Sequence, residues 1–172
     1  PPPVRHRRCC IGSTGTLTCY SEVQARGQEY LLRLNDGARD EKLVSYELLN
    51  ENPAEPLRVI ISSQALYFFR DSPPDPQSLS ERIDLNDLQE CRASSSKTIH
   101  SLSPAIPSFY IVMSLVEPPN TTSDGRRSNT KLKCSKEEKA IKVAQLINYA
   151  KNLHEEEKRI VRTLRLQQDT IW

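Results

Sequence analysis

Glycine is scarce in this chain: five among 172 residues leave little room for a glycine-rich loop that cradles a phosphate, and none is present. Histidine is scarcer. His6, His100 and His154 fall in a tail, a loop and a charged stretch, and none neighbours a cysteine so as to activate it. No enzyme is therefore expected, and no catalytic, cofactor-binding or metal-ligating residue is assigned. The cysteines Cys9, Cys10, Cys19, Cys91 and Cys134 are odd in number and lack a Cys-x-x-Cys pair, so reduced thiols are expected in place of a disulfide framework or a zinc site. No apolar run approaches the roughly 20 residues that cross a bilayer. The start, from Pro1 to Arg8, lacks the apolar stretch of a signal peptide, so a soluble, cytoplasmic chain is expected. An excess of one charge is missing too. Lys and Arg number 24 against 22 Asp and Glu, so the broad phosphate-binding face of a nucleic-acid binder is not expected.

What is there suits one domain with generous loops and a modest core, given a hydrophobic fraction of 37%. Residues 1–13 read as a flexible, basic and proline-rich tail containing Arg5, Arg7 and Arg8. Strand-like pieces follow at 16–20 and 30–34. The second runs into the turn signal Asn35, Asp36, Gly37, so a hairpin is expected there. Residues 42–49 read as a strand, with a short helix as the other choice. The clearest β signal is 57–61, then 65–69, each rich in β-branched or aromatic residues and separated by Ser62, Ser63 and Gln64, a hairpin spacing. Residues 71–80 read as an exposed loop, and 82–88 as a strand with Ile83 and Leu85 on one side. Residues 94–96 and 101–108 read as loop. The apolar run 109–116 belongs at the centre of the core, 118–130 is a long loop, and 130–134 a short strand.

Ser135 and Glu138 have the spacing of a capping box, which predicts a helix starting at Lys136. Ala140, Val143, Ala144, Ile147 and Ala150 recur three and four apart, a stripe that packs on a sheet. The pattern passes through the polar stretch 154–159 and resumes at Ile160, Val161 and Leu164, so the helix is expected to overrun the domain.

Short strands followed by one amphipathic helix predict an α+β fold, a bent antiparallel β-sandwich or partly open barrel closed by a long C-terminal helix. The hairpin from Arg58 through Leu66, Tyr67, Phe68 and Phe69 to Asp71, with the strand from Arg82 to Cys91 after it, resembles the pleckstrin-homology hairpin and its next strand. The segment from Lys131 to Glu138 is similar to the last strand and capped helix of pleckstrin-homology and phosphotyrosine-binding domains. The tryptophan that many family members carry in the closing helix is absent there; Trp172 is the only one. The expected organisation is a tail at 1–13, a pleckstrin-homology-like domain at 14–153 and a helical extension at 154–172.

The resemblance implies two kinds of site. Members that bind phosphoinositides hold the phosphates with Lys and Arg of the first two strands and their loop; the counterparts here are Arg26, Arg33, Arg39, Lys42 and Arg58. Asp36, Asp40 and Glu41 are interleaved with them, so local charge nearly cancels. In phosphotyrosine-binding-like members a peptide adds as a strand against the closing helix, and residues 91–97 with the face 139–149 would form that groove. Arg126, Arg127, Lys131 and Lys133 read as a solvated cluster. Tyr67, Phe68 and Phe69 point to both faces of a strand and belong to the core, not to a stacking platform.

The leading expectation is a non-catalytic intracellular adaptor or scaffold domain, with the extension as a docking or self-association element. Ile160, Val161, Leu164, Leu166, Ile171 and Trp172 are apolar positions that call for a cover, from a protein partner, a second copy or the rest of a larger chain. The alternative is a phosphoinositide-binding membrane-recruitment domain of a larger signalling or trafficking protein, peripheral at membranes.

Overall fold

In the computed structural model, which describes residues 10–11, 17–18, 20–34, 41–52, 56–70, 76–100, 103–116 and 129–169, the chain forms β1 (Cys10–Ile11), β2 (Leu17–Thr18), α1 (Tyr20–Leu34), β3 (Leu43–Asn50), β4 (Leu57–Ser62), β5 (Ala65–Phe69), a 3-10 turn (Pro76–Ser78), β6 (Leu79–Asp84), β7 (Leu88–His100), β8 (Ser103–Leu115), β9 (Asn129–Cys134) and α2 (Glu137–Asp169). Strands β1 and β2 pair with each other. The four-stranded sheet runs β3-β4-β5-β6 and the three-stranded sheet β7-β8-β9, all antiparallel. Two open antiparallel sheets with a long C-terminal helix make the α+β fold that the sequence predicts.

Strand alternation builds the main core. Val59, Ile61, Leu66, Phe68 and Ile83 of the first sheet face Cys91, Ile111, Met113 and Cys134 of the second. The stripe Ala140, Val143, Ala144, Ile147 and Ala150 of α2 closes them off, every member at 5% exposure or less. The alanines let the helix axis come close, while Val143 and Ile147, fully buried, each contribute about 1.5–3 kcal/mol of apolar burial.

The first sheet is apolar on its other face too, where Tyr46, Ile60, Ala65, Tyr67 and Phe69 lie under α1. Here the structure corrects the sequence reading: residues 30–34 are the last turns of α1, not a strand. Val23, Gly27, Tyr30, Leu31 and Leu34 share one helical face and roof that sheet, so tertiary burial decides a segment whose local pattern also fits a strand. Gly27 permits the contact, since a Cβ there would lie 2.6 Å from the Cβ of Tyr46. Beneath the roof, the Tyr67 hydroxyl donates to Glu41 Oε2 at 2.7 Å, and Arg58 Nη1 donates to the Tyr46 hydroxyl at 3.0 Å.

Three further readings change. The strand expected to reach residue 88 ends at Asp84, because Asp84 Oδ1 accepts from the Asn86 amide at 3.0 Å and Asp87 N–H donates to the Asp84 carbonyl at 3.0 Å, closing a turn. Residues 94–96 and 103–108, read as loop, belong to the β7–β8 hairpin, with Ser94 opposite Tyr110 and Ser96 opposite Ser108. The expected capping box does not form. Helix α2 starts at Glu137, the Ser135 amide donates to the Leu49 carbonyl at 3.0 Å, and the buried Ser135 hydroxyl finds no hydrogen-bond partner. The turn at Asn35–Gly37, the tail residues Arg5, Arg7 and Arg8 and the loop with Arg126 and Arg127 lie outside the described residues, while Cys10 and Ile11 of the expected tail form β1.

Candidate functional site

Helix α2 spans 33 residues, about 50 Å at 1.5 Å per residue. Near the domain edge, Lys151 Nζ donates to the Gln89 carbonyl at 2.6 Å, and His154 Nε2 lies 3.1 Å from Asn86 Oδ1 in the β6–β7 turn. From 155 to 167 every residue is exposed, so more than three turns continue past the buried stripe. Local pairs hold the helix there: Lys151 with Glu155 at 3.5 Å, and the Thr163 hydroxyl donating to the Arg159 carbonyl at 3.0 Å.

Four of the six apolar residues singled out in the sequence lie on this overhang, with Ile160 59%, Val161 47%, Leu164 54% and Leu166 67% exposed. The 100° step of the helix places Ile160 and Leu164 side by side with Val161 next to them, and Leu166 on the far side. Ile171 and Trp172 lie outside the described residues. The face that buries Val143, Ile147 and Ala150 changes character at the domain edge. Continued past His154 it becomes Lys158, Val161, Arg162 and Arg165, which with Glu157 and Gln64 of the β4–β5 turn line a groove of about 360 Å³. Sequence periodicity alone marks the overhang as helical, but which face turns basic emerges only when the packed half fixes the helix's rotation.

The described cations expected to hold a head group stand on different elements, with Arg26 and Arg58 both near the Tyr46 hydroxyl. Arg26 and Arg33 stand on α1 and not on a strand, and Arg33 is paired with Glu29 at 2.6 Å. Arg58 is engaged by the Tyr46 hydroxyl; burial pushes that phenol above its ordinary value, and Arg58 opposes the shift. Lys42 is exposed at the start of β3, and Arg39 lies outside the described residues.

The expected peptide groove is partly filled by the helix itself. On the outer edge of β7, Asn148 Nδ2 donates to the Cys91 carbonyl at 2.8 Å and Lys151 takes that of Gln89. Further along, Ala93, Ser94, Ser95, Phe109, Glu137, Ala140 and Ile141 line a shallow cleft of about 160 Å³. Cys91 and Cys134 are free, buried thiols; loss of solvation pushes them up to about 12 and about 11, which disfavours the nucleophilic thiolate. Among the described residues no cluster of three His, Cys, Asp or Glu side chains could hold a metal ion, and no helix is long and apolar enough to cross a membrane.

No family model matches the chain, and no solved structure matches it. It is similar to the intermembrane lipid transfer protein VPS13D of Homo sapiens, at 31% identity over 166 residues, covering 92% of this chain and 3% of the human protein. It is likewise similar to the intermembrane lipid transfer protein Vps13D of Drosophila melanogaster, at 30% identity over 167 residues, covering 94% of this chain and 4% of the fly protein. The chain thus spans 3% to 4% of the length of these curated relatives.

Proposed function

We propose that the chain works as a non-catalytic, pleckstrin-homology-like interaction module within a protein of the intermembrane lipid transfer kind, and that the overhang of α2 is its association element. The order of a four-stranded sheet, a three-stranded sheet and a closing helix supports the first part. The likeness to both lipid transfer proteins over more than nine-tenths of the chain supports its setting. The observation that carries the reading is the exposed row of Ile160, Val161 and Leu164 on a helix that continues beyond its own domain.

A second copy is the occupant that fits. Along the overhang the acids Glu155, Glu156 and Glu157 come first and the bases Lys158, Arg159, Arg162 and Arg165 follow. Two such helices side by side in parallel set acid against acid. Antiparallel, with Ile160 and Val161 at the crossing, they set Glu156 of each opposite Arg165 of the other while Ile160 meets Val161 in the seam. Three turns make a small interface, of the weak and reversible class.

Light scattering over a range of concentrations tests this. The full chain is expected to pass from monomer to dimer, and the Ile160→Asp, Leu164→Asp variant to stay monomeric with an unchanged melting temperature. A full chain that is monomeric throughout, or a variant that dimerises equally well, sinks the self-association reading.

A further inference from the structure

The outer face of the second sheet can be read from its register. Arg92 on β7, Val112 on β8 and Lys131 on β9 form one row across the sheet; Ser94, Tyr110 and Lys133 form the next; Ser96 and Ser108 follow, with Glu90, Ser114 and Asn129 at the other end. None of these side chains is buried, and Arg92, Lys131 and Lys133 are exposed. The face carries three cations against the single acid Glu90, and among the described residues none of the three has an ion-pair partner. Lys131 Nζ lies 3.9 Å from the centroid of the Tyr110 ring. Hydrogen bonds from Ser96 and Ser108, aided by Lys131 and Lys133, hold the Tyr110 phenol below its ordinary value, as a field of donors and cations would. Lys131 and Lys133 stand about 7 Å apart along β9, and Arg92 stands about 10 Å away across two strands.

We infer that this face is a contact surface for an anionic bilayer, which it reads by charge and not by head-group shape. Its chemistry is that of phosphate recognition: a guanidinium and two ammonium groups on one face. Among the residues of this face whose side chains are described, only Val112 and Tyr110 offer apolar surface, without the buried apolar anchors on which a protein interface rests. A tyrosine ring flanked by long cationic side chains suits the water–lipid boundary, where the ring sits at the head groups and the lysines reach the phosphates. The face is separate from Arg26, Arg33, Lys42 and Arg58, and the inference does not rest on self-association through α2.

Co-sedimentation of the full chain with vesicles tests it, using phosphatidylcholine alone, phosphatidylcholine with phosphatidylserine, and phosphatidylcholine with a phosphoinositide at matched charge. Binding is expected to both anionic mixtures alike, to none of the neutral vesicles, and to weaken as salt is raised. Removing a cation at the surface lowers affinity about fivefold, so Arg92→Gln, Lys131→Gln and Lys133→Gln together lower it on the order of a hundredfold. The melting temperature of that variant reports that its fold is kept, and Ile160→Asp, Leu164→Asp is expected to bind vesicles like the parent. The inference is overturned by a chain that ignores every vesicle, by a marked preference for the phosphoinositide, or by binding that survives the sheet substitutions.

Discussion

The two sheets bury one face each in the same core and differ in what they do with the other. The far face of the first carries Tyr46, Ile60, Ala65, Tyr67 and Phe69 and is roofed by α1. That of the second carries Ser94, Ser96, Tyr110, Val112 and Lys131 and is left open by the described residues. In β5 all five residues are buried, so alternation disappears from its sequence, whereas β9 keeps the alternating pattern of a strand with one wet side. The composition of a strand's second face thus says whether something must cover it.

The sharpest way to break this comparison is to truncate the matching aromatics. Phe69→Ala removes a ring with no exposure from beneath α1 and is expected to cost about 3–5 kcal/mol in denaturant unfolding. Tyr110→Ala on the open face is expected to stay within about 0.5 kcal/mol. Equal losses would mean that the second sheet is covered too. Gly27→Ala tests the roof itself. On a helix free of the sheet it would stabilise by about 1 kcal/mol through propensity. Against Tyr46, with 2.6 Å between the two Cβ atoms, it is expected to destabilise by about 1–3 kcal/mol. A stabilised variant would detach α1 from the sheet.

The comparison also explains what could be read from the sequence. The hairpin at 57–69 and the apolar run at 109–116 are legible from their β-branched and aromatic content, and the stripe of α2 from its helical period. Helix α1 is not, because Tyr30, Leu31, Leu32 and Leu34 make a short apolar cluster that suits either period. The signal that could have found it lies elsewhere, in the unbroken run Ala65 to Phe69, whose outward Tyr67 and Phe69 require a lid. The serines of β7 and the prolines near the start of β8 conceal a long hairpin for the opposite reason: an open face places no demand for apolar residues, so its strands read as loop. For the same reason the row of Arg92, Lys131 and Lys133 is invisible in sequence, where Arg92 is some forty positions from the other two and only the register joins them.

Alkali should strike both sheets, in order. The unfolded chain ionises its thiols near their ordinary value of 9, while the folded chain holds Cys91 to about 12 and Cys134 to about 11. Between these limits the native state binds more protons than the unfolded one, so stability falls as pH rises above 9. Tyr46 and Tyr67 are also raised from 10.0, chiefly by burial, and steepen the fall once pH passes that value. Denaturant midpoints measured from neutral to strongly alkaline pH check this. Cys91→Ala, Cys134→Ala should flatten the first part of the decline, and a midpoint unchanged beyond pH 10 would place these groups in water.

The smallest effects belong to the two seams by which α2 meets the sheets. Toward the first it is held by ion pairs, Lys139 with Glu51 at 2.5 Å and Lys142 with Glu47 at 2.8 Å. Toward the second it is held by bonds to backbone carbonyls, Asn148 to Cys91 and Lys151 to Gln89. Lys139 holds the Glu51 carboxyl below its ordinary 4.5, so this contribution is present above that pH and is lost as pH falls through the lowered value. Both ion pairs are partly exposed and screened, so Lys139→Gln is expected to cost less than about 1 kcal/mol, and nothing measurable in high salt. Asn148→Ala leaves the Cys91 carbonyl without its donor and is expected to cost about 0.5–1.5 kcal/mol at any salt. Unfolding both variants at low and high ionic strength separates the seams: the loss at Lys139 should vanish with salt and the loss at Asn148 should not, because only the first depends on charges that water and counterions can reach.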